Sequence, residues 1–372
     1  MQIIKKRRLN PDTVEYIPTA LKIAYFGKGY HGLQMQGTIQ KEDILEPMLK
    51  PPSIESEIVK ALLHLDFIHP LRWRDNFSKC GRTDKGVSSF CNVLVLNIRK
   101  VANPIIAINT KLPGDIRVIG FSRVDPDFSA RFNCLSRTYR YYFVRTPGMC
   151  VNRMRRSAEI LVGEHDFRNF CKIDPNLTAF IRQIHEVSFS KFATFNDEEI
   201  WVAEIKGSSF MWHQIRYTMA VLFLVGRGYE DEDISWMLNP NEVKPIFDMA
   251  SELGLVLWDT EFDLKWTYDN QINVQECKLE STIVPDTTAE VPFKRCKPGT
   301  HDLVQFSKHQ LLIELSLKEA FIHKYSLFTN RSSWGATGGL QGQSGHLTGV
   351  NNGKVKHLPS TNYKTLRERQ RE

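Results

Sequence analysis

Residues 80–98 read CGRTDKGVSSFCNVLVLNI. A polar, glycine-flanked turn runs directly into an apolar run. Gly81 and Gly86 permit tight turns on either side of Asp84. The valine- and leucine-rich residues 91–98 predict a strand covered on both faces. Upstream, residues 19–26 (TALKIAYF) alternate as a strand and end in a loop holding Gly27, Gly29 and Gly32. Residues 53–65 predict a helix, with Ser53 as N-cap and Ile54, Ile58, Leu62 and Leu65 on one face. Downstream, residues 137–144 (RTYRYYFV) predict a strand with Tyr139 and Tyr141 on one face, Arg140 and Tyr142 on the other. Residues 157–162 start a helix and residues 200–205 form a strand. Gly207, Ser208 and Ser209 cap a helix over 210–225, stopped by Gly226 and Gly228. Strands alternating with helices in both halves predict an α/β or α+β chain of two similar lobes. The pattern weakens after Thr267, with one more helix at 310–320. Residues from 331 onward are poor in apolar side chains, hold seven of the 22 glycines, and read as disordered.

The composition agrees with a globular chain. Of 372 residues, 42% are hydrophobic and 24% charged, which excludes collagen-like, coiled-coil and wholly disordered classes. No apolar run approaches the ~20 residues of a membrane span, and the start MQIIKKRRLNPD has no apolar segment behind its charges. Seven scattered cysteines form no C-x-x-C pair, so a reducing intracellular compartment is expected. The net charge is +7. Residues 121–156 hold eight arginines against Asp125 and Asp127, interleaved with aromatics. That pattern suits a phosphate-tracking groove, or a solvated face over a core strand.

Asp84 is flanked by Arg82 and Lys85, cations that favour its ionised form. An ionised carboxylate on a rigid turn suits a nucleophile or base; the same residue also reads as an aspartate stabilising its own turn. No second carboxylate accompanies it, as a hydrolytic glycosidase requires. Tyr139 offers a flat apolar face and one hydroxyl, or simply fills a half-buried strand position. Arg216 lies on a mostly apolar helix, so it either pairs or snorkels to solvent. His213 has no second ligand spaced for a metal.

Four ordered segments resemble the TruA family of RNA pseudouridine synthases over residues 19–268. They are KIAYFGKGYHGLQMQ, CGRTDKGV, KLPGDIRV with DPDFSARFNCLSRTYRYYF, and GSSFMWHQIRYTMAVLFLVG, joined by a closing GLVLWD. Together with GEHDFRNFCKID at 163–174, they look most like the eukaryotic branch that acts at tRNA positions 38 and 39. Two departures bear on RNA contacts: Leu33 stands before Gln34 where an aromatic is common, and Ser88-Ser89 come directly after the aspartate motif.

The resemblance implies a TruA-like α+β fold, two sheet-and-helix lobes around a basic cleft. It implies an aspartate-dependent isomerisation of uridine, with no cofactor and no metal. Asp84 would be the catalytic aspartate, Tyr139 the ring that stacks on the target base, and Arg216 the aspartate's partner. Arg82 would help flip the nucleotide, and Lys85, Arg137 and His213 would contact RNA. The expected organisation is a basic arm at 1–18, lobes at 19–130 and 131–268, an extension at 269–330 and a disordered tail at 331–372. A tRNA partner, a homodimer, no membrane, and a place in cytoplasm and nucleus are expected. A non-catalytic RNA-binding protein is the competing class, distinguished by loss of Asp84, Tyr139 or Arg216.

Overall fold

The computed structural model describes residues 9–35, 52–172, 178–195 and 197–268, with 313, 314, 316 and 317. The strands are β1 (Tyr16–Tyr25), β2 (Ser78–Lys79), β3 (Ser88–Arg99), β4 (Ile116–Arg123), β5 (Ser136–Val144), β6 (Gly163–Asp166), β7 (Ile181–Phe195), β8 (Glu198–Gly207), β9 (Leu255–Glu261) and β10 (Thr267–Tyr268). The α-helices are α1 (Ile54–His64), α2 (Ile105–Asn109), α3 (Val151–Glu159) and α4 (Gln214–Gly226). The class is α+β, with antiparallel pairing in both of two compact units.

The first unit holds Met1–Leu135 and the returning segment from Asp259. The second holds Ser136–Trp258 and later residues that include the described 313, 314, 316 and 317. The boundary therefore falls five residues beyond the 130/131 division expected from sequence, and residues 259–268 belong with the first unit rather than the second. Residues 1–8 of the expected arm, the tail, and the extension apart from 313, 314, 316 and 317 lie outside the described residues. Of the helix expected at 310–320, residues 313, 314, 316 and 317 are described, and they are helical.

In the first unit β1 lies between β3 and β4, running from Tyr16 opposite Arg99 to Tyr25 opposite Ser89 and Ile116. Residues 16–18, expected in the arm, thus already belong to the sheet. β10 joins β4, and β2 joins β3. Strand β3 is buried almost throughout, as its composition predicts. Leu94, Leu96 and Ile98 pack in one cluster with Ile54, Ile58 and Leu62 of α1, while Val93 and Val95 face a second cluster with Ala20 and Ala130. Alternation sends successive side chains to opposite faces, so a strand covered on both sides reads as an unbroken apolar run.

Helix α1 begins where its cap predicts. The Ser56 N–H donates to Ser53 Oγ at 3.1 Å, and the Ser53 N–H donates to Ser56 Oγ at 3.0 Å. This reciprocal box satisfies two backbone donors at a buried helix start. Ser53→Ala is expected to cost about 1 kcal/mol, read from the urea midpoint; an unchanged midpoint would show that the cap contributes nothing.

In the second unit β5 pairs with β8, β8 with β7, and β7 with β6. β9 lies beside β5. Tyr141 and Phe143 meet Phe223 of α4 from one face of β5, and Tyr142 meets Phe192 from the other. The expected alternation is thereby observed. Two helix boundaries differ from expectation. Residues 157–162 are the end of α3 and the turn after it; the helix begins at Val151. Its buried Val151, Met154 and Ala158 are masked in sequence by three arginines on the outer face. Helix α4 starts at Gln214, because His213 takes a left-handed φ of 63° that α-helix cannot propagate. Ser208 and Ser209 therefore do not cap it. Gly228, at φ 74°, ends it as predicted. Among the described residues no helix is long and apolar enough to cross a membrane.

Candidate active site

The Asp84 turn is built from the two segments that flank it in sequence and from the glycine loop after β1. At its front, the Asn92 side-chain amide donates to Gly81 O at 2.9 Å and its oxygen accepts from the Gly81 N–H at 3.3 Å. In the middle, Thr83 O accepts from the Leu33 N–H at 3.1 Å, and Thr83 Oγ1 shares a 2.8 Å hydrogen bond with the Tyr25 hydroxyl. Burial pushes the Tyr25 phenol up to about 12, so it stays a neutral hydrogen-bonding group at pH 7. Behind, Asp84 O accepts from the Val87 N–H at 3.1 Å, Tyr30 O from the Gly86 N–H at 3.2 Å, and Ser88 Oγ from the Gly27 N–H at 3.0 Å. Thr83 and Val87 are buried, Asp84 is half-buried, and Arg82 and Lys85 are exposed. The carboxylate thus sits on a turn fixed from three sides.

Glycine is required at two points of this cradle. A Cβ on Gly27 would lie 2.0 Å from Val87 O. Gly32 has φ 90°, and a Cβ there would lie 2.7 Å from Thr83 O. The two departures from the family pattern serve the same cradle. Leu33 is fully buried in the core with α1, and Ser88 and Ser89 are buried beside the turn. They are scaffold rather than RNA-facing positions.

Sequence reasoning missed Glu55. Its buried carboxylate accepts from Lys79 Nζ at 2.6 Å and from the Met35 N–H at 3.3 Å. It joins the end of the glycine loop to the strand that leads into the aspartate motif. Burial lowers the Lys79 pKa, and the Glu55 carboxylate opposes that shift. In sequence Glu55 reads only as an acidic residue in a helix first turn, where acids are common.

The second unit carries the other predicted residues. Tyr139 on β5 is half-buried, its ring edge-on to Phe210 at 5.2 Å. Tyr141 and Tyr142 are buried, which matches their reading as strand aromatics. Arg216 is buried, and burial of a guanidinium demands partners. Its Nε donates to Ala250 O at 2.7 Å and its Nη2 to Glu252 Oε2 at 3.0 Å. Arg137 is also buried and donates to Ser208 O at 2.6 Å, a scaffold contact where RNA contact is expected from sequence. His213 is half-buried beside the Trp212 ring at 4.9 Å.

The arginine-rich stretch 121–156 is mostly bound within the protein. Arg123 donates to Val101 O, Arg153 to Glu230 O and Arg155 to Phe189 O. Arg140, Arg145 and Arg156 pair with Glu204, Glu199 and Glu232. Arg140 is buried with its guanidinium 3.6 Å from the Trp258 ring. With Arg137, at least seven of these arginines bond within the protein, so the run is not the solvated face that one reading of it expects. The acids that pair with them lie 50 or more residues away in sequence, so the run looks unbalanced until folded. Among the described residues no three His, Cys, Asp or Glu side chains gather as metal ligands.

A family model described as tRNA pseudouridine synthase matches residues 157–263. The protein named tRNA pseudouridine(38/39) synthase in Bos taurus is 36% identical over 68% of this chain and 57% of its own length. The one so named in Saccharomyces cerevisiae is 35% identical over 66% of this chain and 58% of its own. The tRNA pseudouridine synthase A of Methanosarcina mazei is 30% identical over 68% of this chain and 87% of its own. With its α+β fold, its rigidly presented aspartate and these relatives, the chain belongs to the tRNA pseudouridine synthase family. It spans between half and two thirds of the Bos taurus and Saccharomyces cerevisiae relatives.

Proposed function

We propose that this chain isomerises uridine to pseudouridine at positions 38 and 39 of the tRNA anticodon loop and stem, with Asp84 acting on the uridine. The observation that carries this reading is the Asp84 turn, whose backbone is held by Asn92, Leu33 and the Gly27–Tyr30 loop and whose Thr83 hydroxyl is held by Tyr25. Pre-positioned charge acts without reorganising as the reaction proceeds. The reaction breaks the N1–C1′ bond, turns the base and joins C5 to C1′; the C5 proton leaves and N1 gains one, so the formula is unchanged. The chemistry needs no cofactor, since nothing is oxidised and nothing is lost to water. The carboxylate has three routes: attack at C1′, attack at C6 of the base, or removal of a sugar proton.

Tyr139 stacks on the target base, consistent with its half-open ring on β5. Arg216 serves the same reaction as the partner of Asp84, and Lys85 and His213 contact the RNA. Arg82, exposed beside the turn, helps expel the nucleotide by stacking where the base was. Flipping a paired base costs a few kcal/mol more than moving an unpaired one. Arg82→Ala is therefore expected to slow modification at 39, in the stem, about tenfold more than at 38, in the loop. Equal slowing at both positions would remove the flipping role. The chain works as a homodimer on tRNA, in cytoplasm and nucleus; sedimentation and imaging of a tagged chain test these two statements.

The reading itself is tested with unmodified tRNA transcripts bearing uridine at 38, at 39, at both or at neither, mapped by carbodiimide primer extension. Signal at 38 or 39 supports it. Signal elsewhere moves the chain to another branch of the family. Tight tRNA binding with no signal replaces the isomerase reading with RNA binding alone.

A further inference from the structure

We propose that Trp212, in the second unit, is a base-stacking contact for RNA, a role apart from those of Asp84, Tyr139 and Arg216; this rests on the tRNA reading above. Trp212 is 48% exposed, its indole open on one side. It is nevertheless held in place. Its carbonyl accepts from the Lys172 N–H at 3.0 Å, and the Lys172 ammonium lies 4.3 Å from the indole centroid. The His213 ring stands 4.9 Å away, tilted by 44°. A second lysine packs on another aromatic ring of the same unit. Lys244 Nζ donates to Cys171 O at 2.6 Å, next to Lys172, and lies 3.7 Å from the Tyr217 ring.

Two segments distant in sequence meet here, 163–172 and 207–226, and neither of their motifs singles out Trp212. An open indole with the Lys172 ammonium against it matches what a single-stranded nucleic acid offers, a flat base beside a phosphate. A protein partner would also cover an exposed tryptophan. That cation favours the polyanion. Because the ring is pre-ordered by Lys172, little side-chain freedom is lost when a base stacks on it.

The test uses the full chain with Trp212→Ala, Trp212→Phe and Lys172→Gln. Affinity for a fluorescein-labelled anticodon stem-loop hairpin is read by anisotropy, beside kcat, KM and melting temperature. Trp212→Ala is expected to weaken binding about tenfold and to raise KM in step. The kcat at saturating RNA stays within about twofold, because a stacking contact outside the reacting atoms binds ground and transition states alike. Trp212→Phe restores most of the affinity, and Lys172→Gln loses about threefold with a shallower salt dependence. A folded Trp212→Ala chain that binds and turns over RNA like the wild type overturns this inference and leaves the isomerase reading standing. A wild type that binds the hairpin but makes no pseudouridine overturns that reading, while a weaker Trp212→Ala still upholds the stacking role. A wild type that binds no RNA overturns both.

Discussion

On the proposed reading, Asp84→Asn is expected to abolish pseudouridine formation and to leave the fold and RNA affinity intact. The amide has the shape of the carboxylate and none of its charge or basicity, so each of the three routes loses its reacting group. The expected fall in turnover is at least about 10³-fold, the scale on which a group acting on the reacting atoms is lost. The melting temperature stays within about 2 °C, because the turn is held through backbone groups of Gly81, Thr83, Asp84 and Gly86 rather than through that side chain alone. Hairpin affinity stays within about threefold. Asp84→Ala serves as a companion that cannot regain a carboxylate by deamidation. Residual activity above a few per cent in both variants would sink the assignment.

Gly27→Ala is the second large effect, and it acts entirely through position. The added methyl would meet Val87 O at 2.0 Å, Val87 C at 2.4 Å and Gly86 C at 2.9 Å. All three are backbone atoms, so no rotamer change relieves the contact. The end of β1 must separate from residues 86–87, which strains the Gly27–Ser88 and Gly86–Tyr30 hydrogen bonds together. Overpacking of this kind costs about 1–3 kcal/mol, and stranded buried donors add a similar amount. Stability is expected to fall by about 3 kcal/mol in urea titration. Turnover by the fraction that remains folded is expected to fall about 10²-fold, as a displacement near 1 Å at the reacting group does. Gly29→Ala is the control: its methyl would meet nothing within 4 Å, and both readouts should stay near wild type. Equal effects at the two glycines would refute the cradle.

What sequence makes legible here is local chemistry. Ser53 announces its helix because a cap is a contact between near neighbours. β3 announces itself because burial on both faces leaves an unbroken apolar run. Arg216 announces a buried cation because its helix is otherwise apolar, and the structure supplies Ala250 and Glu252 as partners. What stays hidden depends on partners far along the chain. β7, the longest strand among the described residues, carries RQIHEVSFSKFATF with two register shifts, so no clean alternation marks it. Glu55 gains its meaning only from Lys79, and Arg140 only from Glu204 and Trp258. The left-handed His213 moves a helix start without changing the hydrophobic pattern.

Strand β9 leaves the second unit at Trp258 and enters the first at Asp259. Phe262, Leu264 and Trp266 then pack on the cluster of Val93 and Val95. During synthesis, the half of the first unit made earliest therefore waits for its own last wall. The whole of Ser136–Trp258 must be translated before residues 259–268 appear. At ordinary elongation rates that wait is on the order of ten seconds. Over that interval the aspartate-bearing unit stands without the segment that covers the Val93 and Val95 face.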